Sequence, residues 1–277
     1  MLAVPEPSHQ VADPATAATW EALRNQTAPA AFTAAVAELL VASVDLRRPV
    51  VDVGAGSGHL ASAMAVRGAR VVALDLSLPM LRRVPDALAR AAADVTCLPV
   101  RPAAAGAVLA AHVLHVVPRW QAAVAELDRV AGPEGVVLVQ AGASSGTLGS
   151  SAELRAVFRE HLPPRALVGN EVADDPGAID AAFAALGRAA TDLPEVRVPR
   201  QETPRGVLRW LQGNLWTWPG PSTDAERAAA AGAALAWASA QGIDLDEPFE
   251  TASVNRWRAY ARTGGGQKSK GLAGASR

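Results

Sequence analysis

The stretch VVDVGAGSGHL, residues 50–60, places three glycines, each two residues from the next, directly after an apolar run. A short apolar run of this kind predicts a buried strand, and the residues after the last glycine predict a helix. Glycine lets the backbone approach a ligand closely, and the first turn of a helix offers unpaired N–H groups. The stretch therefore predicts a strand–turn–helix unit that binds a nucleotide-like ligand.

Two well-known classes of nucleotide site use a glycine turn, and the spacing argues against both. A phosphate-binding loop requires G-x-x-x-x-G-K-[ST], and no lysine follows these glycines. A dinucleotide site requires G-x-G-x-x-G, in which the third glycine lets the helix pack against the strand. Here that third position is His59, and the glycine falls one residue earlier, at Gly58. The spacing G-x-G-x-G therefore disfavours a nicotinamide-dependent oxidoreductase.

Beyond the turn, short apolar runs alternate with helical stretches. We expect strands at residues 49–53, 70–74, 94–98, 107–111 and 136–140. Helices are expected at 57–67, from Ser77 to about Arg90, and at 119–130, where Gly132-Pro133 closes the last one. This repeating order predicts an α/β fold, in which a parallel sheet has helices on both faces.

The second half of the chain shows helical patterns without this regular alternation. Ser150 with Glu153, and Thr223 with Glu226, have the spacing of a capping box, which marks a helix start. We expect helices at about 150–161, 178–190, 203–211 and 223–240, and strands at 196–198 and 249–261. A further helical stretch is expected at about 15–43, ahead of the glycine turn.

The glycine turn, with Asp52 two residues before its first glycine, resembles motif I of the class I S-adenosylmethionine-dependent methyltransferases. V-V-A-L-D-L-S, ending near Asp75, resembles the acid-tipped second strand of that family. Further segments resemble family motifs in the same order: S-L-P-M-L at 77–81, D-V-T-C-L-P at 94–99, A-H-V-L-H-V-V-P at 111–118 and L-D-R-V-A-G-P-E-G-V at 127–136. The resemblance covers residues 45–141, about a third of the chain. Where the family often has Phe-Asp before strand four, this chain has Gly106-Ala107.

The resemblance implies a doubly wound, seven-stranded, mostly parallel sheet of order 3-2-1-4-5-7-6, with strand seven antiparallel and a helical cap. It also implies four segments: an N-terminal helical lid (1–44), a cofactor-binding Rossmann-like core (45–143), a cap insertion with the last strands (144–262) and a disordered tail (263–277). The tail is rich in Gly, Ser and Lys and cannot bury a core.

The implied cofactor is S-adenosylmethionine, with S-adenosylhomocysteine as its product. The resemblance implies that Asp75 accepts hydrogen bonds from the ribose hydroxyls and that Met80 lies against the adenine ring. It also implies that Asp94 accepts a hydrogen bond from the adenine amino group. A carboxylate suits vicinal hydroxyls because it accepts two hydrogen bonds side by side. The expected cofactor-binding residues are Asp52, Gly54, Ala55, Gly56, Gly58, Asp75, Leu76, Met80, Asp94, Val95, Ala111 and His112.

Methyl transfer from a sulfonium is an in-line displacement, so the enzyme mainly orients the acceptor and excludes water. A general base is needed only when the nucleophile is protonated at neutral pH. His112 follows strand four, where ligands of doubly wound sheets lie, and is the candidate catalytic base. The expected substrate-binding residues are Trp20, Arg24, His115, Trp216 and Trp218.

The sequence does not identify the methyl acceptor. Four arginines, Arg197, Arg200, Arg205 and Arg209, are candidates for binding a carboxylate, or are solvated. A net charge of −1 and the lack of a basic, aromatic-interleaved run disfavour a nucleic acid partner. The D/N-P-P-Y signature of amide and adenine N-methyltransferases is also absent. We therefore expect a small-molecule acceptor, by analogy one from secondary metabolism; a peptide or protein methyltransferase and a non-catalytic cofactor-binding protein are the alternatives.

Composition limits the setting of the protein. Cys97 is the single cysteine, which fits a reducing cytoplasm, and the five scattered histidines lack metal-site spacing. The first ten residues lack the charged and apolar regions of a signal peptide, and the longest apolar run, 103–117, is too short to span a bilayer. We expect a cytoplasmic monomer or homodimer without metal and without a membrane partner.

Overall fold

The computed structural model describes residues 30–146, 150–163, 176–213 and 222–262. Four of the five expected substrate-binding residues, namely Trp20, Arg24, Trp216 and Trp218, lie outside these ranges, as do most of the N-terminal lid and the whole C-terminal tail. The predictions made for those residues therefore stay predictions.

Strands and helices alternate through the first half of the chain. In order they are α1 (Ala30–Ala42), β1 (Val50–Val53), α2 (His59–Ala65), β2 (Val71–Asp75), α3 (Leu78–Leu81), β3 (Ala89–Ala92), β4 (Ala107–Ala110), α4 (Trp120–Ala131) and β5 (Val136–Gly146). The second half contains α5 (Ser150–Glu160), α6 (Pro176–Ala185), β6 (Arg188–Asp192), β7 (Val196–Glu202), α7 (Pro204–Gly213), α8 (Asp224–Ala240) and β8 (Phe249–Arg262).

One sheet organises these elements, in the order β3-β2-β1-β4-β5-β8-β6, with β7 also paired to β8. The strands β1 to β5 pair in parallel, and β8 runs antiparallel to β5. This confirms the predicted α/β fold and its strand order, with β8 in the place of the family's strand seven. The sheet has eight strands because β6 pairs with β8 at 258–262 and β7 pairs with it at 249–255, so two short strands flank one long strand.

The central strands are buried on both faces, which explains their continuous apolar sequence. All four residues of β1 and all four of β4 are buried. Alternate side chains pack into two clusters, one against α4 and α6 and the other against α1 and α2. A third cluster, which we call the cap cluster, joins α5, α7 and α8 through Leu154, Phe158, Val207, Leu208, Leu211 and the alanines of α8.

The third strand lies earlier than the sequence predicts. It is Ala89–Ala92, and the prediction of a strand at 94–98 is wrong, because Asp94 to Cys97 forms a tight turn closed by Cys97 N–H donating to Asp94 O at 3.0 Å. The helix after Ser77 ends at Leu81, not near Arg90, and Pro85 follows it. All four β3 residues are exposed at the sheet edge, so no apolar run marks them.

The helix predicted at 178–190 also ends early, at Ala185. Gly187 adopts φ +77°, a left-handed conformation that closes helices. Arg188 then starts β6, and its buried guanidinium donates to Asp128 Oδ1 at 2.6 Å and to the carbonyls of Gly132 and Gly135 at 2.7 and 2.8 Å. The capping box at the start of α8 is confirmed: Thr223 Oγ1 accepts from Glu226 N–H at 3.2 Å.

Candidate functional site

The glycine turn connects β1 to α2 in a conformation that side chains rarely adopt. Gly54, Gly56 and Gly58 have φ angles of +69°, +58° and +76°. A Cβ at Gly54 would overlap Cγ2 of Val113, in the loop that follows β4. Glycine is therefore required at Gly54 for both its backbone angle and its close contact. The turn is packed directly against the loop that carries the two histidines.

Asp75, the last residue of β2, holds the glycine turn from the other side. Its Oδ2 accepts from Gly56 N–H at 2.7 Å, and its Oδ1 accepts from Ser77 N–H at 2.7 Å. Burial raises the pKa of Asp75, while the hydrogen bonds from backbone N–H groups oppose that rise. A carboxylate offers about four acceptor positions, and Leu76 N–H also faces this one, so at least one position remains for a ligand.

The surface beside Asp75 is apolar and open, as a flat aromatic ligand requires. Leu76 is 58% exposed and Leu78 is 55% exposed, although large aliphatic side chains are usually buried. Met80 differs, since it is 2% exposed and its N–H donates to Ser77 Oγ at 3.3 Å. The acid and the adjacent apolar surface fit the ribose and adenine of S-adenosylmethionine, whereas contact between Met80 and adenine stays a prediction.

Asp94 and Val95 lie just beyond β3, at the same edge of the sheet. Asp94 is exposed, and its Oδ1 accepts from Thr96 N–H and Oγ1, both at 2.8 Å. Val95 packs against the cluster beneath α4. Ala93 N–H donates to Asp75 O at 2.9 Å, which ties this turn to the end of β2. The structure thus brings the two predicted acids, Asp75 and Asp94, to neighbouring strand ends.

Asp52 occupies a different position from the other predicted cofactor residues. It lies within β1, is 2% exposed and pairs in register with Ala73 and Leu109 of the flanking strands. Ala55, by contrast, lies in the turn itself, and its N–H donates to Leu74 O at 3.0 Å. The burial of Asp52 favours a role in supporting the turn, and its contact with the cofactor stays a prediction.

Two histidines follow Ala111 at the end of β4. His112 is exposed and has φ +56°, a left-handed angle that costs a non-glycine residue about 1–2 kcal/mol. Such strain is typical of functional sites. His115 meets His112 edge-on, with ring centroids 6.1 Å apart. Burial lowers the pKa of His115, so its imidazole is neutral at neutral pH.

The four candidate arginines have different surroundings. Arg197 pairs with Glu195 at 3.2 Å and Arg205 with Asp246 at 2.7 Å, and both arginines are exposed, as is Arg209. Arg200 is partly buried and pairs with Glu202 at 2.6 Å. Sequence reasoning missed a further arginine, Arg155, whose guanidinium lies 4.8 Å from the ring centroid of Trp210. No local spacing marks that contact, because Arg155 and Trp210 belong to different helices.

The described ranges contain no cluster of three His, Cys, Asp or Glu side chains placed to hold a metal ion. Among their helices, none has the length and apolar character needed to cross a bilayer.

Comparison with known proteins agrees with this geometry. Residues 51–139, from β1 to β5, match the family model described as a methyltransferase domain, of type 11. A malonyl-[acyl-carrier protein] O-methyltransferase of Pseudescherichia vulneris is 45% identical over 69 residues, which are 23% of this chain and 28% of that protein. The alignment therefore spans well under half of that curated relative.

Solved structures share the fold at low identity. The YcgJ protein of Bacillus subtilis is 16% identical with a TM-score of 0.52, over 83% of this chain and 99% of that one. A Synechocystis magnesium protoporphyrin IX methyltransferase with bound S-adenosylhomocysteine is 14% identical with a TM-score of 0.51, over 89% of this chain and 94% of that one. A phosphoethanolamine N-methyltransferase of Haemonchus contortus, also with S-adenosylhomocysteine, is 16% identical with a TM-score of 0.51, over 90% of this chain and 58% of that one. The family match, the strand order and the acid-linked glycine turn together support a type 11 methyltransferase domain over residues 51–139, of the class I S-adenosylmethionine-dependent kind.

Proposed function

We propose that this protein transfers a methyl group to a small organic molecule. The main support for the proposal is the hydrogen bond from Gly56 N–H to Asp75. This bond joins the glycine turn and the acid into one polar site beside the exposed Leu76. When bound there, S-adenosylmethionine supplies a methyl group already activated on a sulfonium. The residues of the chain then have to orient the acceptor and exclude water, and no metal is required for that work.

The residues present suit this cofactor by their chemistry. Asp75 keeps acceptor capacity for the two ribose hydroxyls after accepting from Gly56 and Ser77. Leu76 offers an apolar face to adenine, and Asp94 offers a carboxylate to its amino group. Gly56 presents bare backbone to the methionine part, whereas the space beside Gly54 is filled by Cγ2 of Val113.

His112 is the proposed base for an acceptor that is protonated at neutral pH. Its imidazole is exposed at the end of β4, in the loop that contacts Gly54 through Val113. His115 beside it is kept neutral by burial, so it adds no positive charge that would disfavour proton uptake by His112. We propose that His115 orients His112 and borders the acceptor.

The relatives support a small acceptor. The Synechocystis and Haemonchus proteins are named for a porphyrin and a phosphoethanolamine, which are both small molecules. The curated relative acts on a malonyl group carried by a protein, which favours one alternative, an acceptor delivered on a carrier. We also propose a cytoplasmic location, supported by the single cysteine, Cys97, which is exposed and has no disulfide partner in this chain. A monomer or homodimer remains our proposal for the oligomeric state.

Transfer of a radiolabelled methyl group tests this function. The chain is incubated with labelled S-adenosylmethionine and either the low-molecular-mass fraction or the protein fraction of a bacterial extract. We expect label in the small-molecule fraction, and less of it with Asp75→Asn. Label confined to the protein fraction would contradict the small-molecule acceptor and support the carrier-bound one. A chain that binds the cofactor and labels neither fraction would contradict the proposed transfer.

A further inference from the structure

A row of polar side chains follows one face of the long strand β8. Cross-strand partners point to the same face of a sheet, so the register of β8 with β5 and β7 places them together. The pairs are Trp257 with Gln140, Asn255 with Val196, Ser253 with Val198, Thr251 with Arg200 and Phe249 with Glu202. We call Gln140, Trp257, Asn255, Ser253, Thr251 and Arg200 the polar row.

The polar row begins where the candidate site ends. Gln140 is the residue after Val139, which pairs in register with Ala110, the last residue of β4. His112 follows β4 two residues later. From Trp257 to Thr251 the row extends over six residues, or about 20 Å along the strand. It therefore leads from the site toward the cap.

Part of the polar row is buried, and four of its six residues carry a buried atom without a hydrogen-bond partner. Ser253 is 6% exposed and Asn255 is 8% exposed. In the row and beside it, six buried atoms have no hydrogen-bond partner among the described residues: Gln140 Nε2, Asn255 Oδ1, Trp257 Nε1, Arg200 Nε, Glu202 Oε2 and Arg155 Nε. Buried polar atoms are normally paired, and a run of unpaired ones along a single face is typical of a surface that receives a ligand.

The outer end of the row carries a net positive charge. Arg155 of α5 lies over Trp210 and interacts electrostatically with Glu202, Arg200 and the exposed Arg159. Glu202 already pairs with Arg200 at 2.6 Å, and Arg155 forms no salt bridge with any described residue. Water screens the exposed Arg159, so the partly buried groups are two guanidiniums and one carboxylate, and a single negative charge would neutralise them.

The surroundings of that charge are apolar. Phe249, the partner of Glu202 in the sheet, packs with Trp210 against the cap cluster. Arg155 itself is flanked in the sequence of α5 by Leu154 and Val157, which both belong to the cap cluster. A ligand that reaches it must therefore combine an apolar body with one anionic group.

We propose that the polar row is the acceptor channel, and that Arg155 and Arg200 bind a carboxylate at its outer end. The inference rests on the proposed methyl transfer and names its acceptor class: an organic monoacid with an apolar body, whose carboxylate lies far from the methyl-accepting atom. A carboxylate matches the single net charge, whereas a phosphate dianion would leave an excess negative charge in an apolar setting.

Calorimetry of the full chain with octanoate and octanamide tests this site, because the two probes share an apolar body and differ in charge. We expect octanoate to bind at least about ten-fold more tightly than octanamide, and Arg155→Gln to weaken octanoate by about ten-fold. Arg197→Gln is the control, since Arg197 is an exposed arginine of β7 that pairs with Glu195. It should change octanoate affinity by less than about two-fold.

A second variant separates binding from folding. Glu202→Gln removes the one negative charge and should tighten octanoate by about three-fold, an effect that a purely structural role of this cluster would not produce. Equal affinity for octanoate and octanamide, or unchanged affinity in Arg155→Gln, would overturn the carboxylate site while S-adenosylhomocysteine still binds. Failure of S-adenosylhomocysteine to bind the wild-type chain would overturn the proposed function, and with it the assignment of the row as an acceptor channel.

Discussion

Gly56 and Asp75 are 19 residues apart in sequence, and the backbone N–H of the first donates to the carboxylate of the second at 2.7 Å. This bond joins the turn after β1 to the end of β2, so the two sequence motifs form one structure. A change in the acid should therefore alter both the shape of the glycine turn and its affinity for the cofactor.

Replacing Asp75 with asparagine should weaken S-adenosylhomocysteine binding by about 10–100-fold. The variant removes the charged acceptor for the ribose hydroxyls and places an NH2 donor against a backbone N–H. Calorimetry measures the affinity. Asp86→Asn is the control, because Asp86 is exposed and pairs only with Arg90 on the surface. Similar affinities for wild type and Asp75→Asn would remove Asp75 from the site.

The same carboxylate predicts a pH dependence. Burial raises the pKa of Asp75 above the ordinary value of 3.8, so protonation begins at a higher pH than for an exposed aspartate. The ionised form accepts the ribose hydroxyls, so affinity should be full above this raised pKa and fall as pH decreases through it. Titrating S-adenosylhomocysteine over a pH series checks the dependence, which Asp75→Asn should lack.

Replacing Gly54 with alanine should destabilise the fold by about 2–3 kcal/mol. The new Cβ meets Cγ2 of Val113, and φ is +69°. Gly68→Ala is the control, because Gly68 has φ +90° with no atom near the added Cβ and should cost only about 1 kcal/mol. Thermal unfolding measures both. Adding Val113→Ala should recover part of the loss at Gly54; a fully additive double mutant would contradict the contact.

His112→Ala should lower turnover at saturating S-adenosylmethionine by about 100-fold, if the acceptor must lose a proton. Single-turnover transfer of labelled methyl measures the chemical step. His112→Asn is the matched variant, since asparagine tolerates a left-handed backbone and should keep the fold while lacking the base. Full turnover in both variants would remove His112 from the mechanism.

Arg188→Met should destabilise the protein by about 3–5 kcal/mol. The side chain is fully buried, and its loss leaves Asp128 and the carbonyls of Gly132 and Gly135 without their main donor. Arg197→Met is the control: that arginine is 58% exposed, and its pair with Glu195 is worth about 0–1 kcal/mol. Chemical denaturation compares the two, and equal losses would contradict a special role for Arg188.

The parts of the fold that the sequence predicts are those with a local signal. Strands β1, β2, β4 and β5 are buried on both faces, so each appears as an apolar run. Strand β3 is exposed at the edge and alanine-rich, which is why its predicted position is wrong. The capping box of α8 is local and was predicted, whereas the early end of α6 depends on Gly187, whose left-handed angle only the structure reveals.

The candidate site also contains residues that the sequence predicts and residues that only the structure reveals. The glycine turn, Asp75 and Asp94 follow strand ends, and strand order alone brings them to one edge of the sheet. The cluster of Arg155, Arg200 and Glu202 comes from α5 and β7, which lie about 45 residues apart with no spacing rule between them. Tertiary packing that brings α5 close to β7 creates that cluster, so it could not be predicted from the sequence.

The most direct test of the cofactor assignment is calorimetry of the wild-type chain with S-adenosylhomocysteine, S-adenosylmethionine and NAD. The acid-linked turn and His59 at the position where a dehydrogenase needs glycine predict binding of both methionine derivatives, with Kd of about 1–100 μM, and no heat with NAD. Tight binding of NAD, with no response to either methionine derivative, would contradict the account.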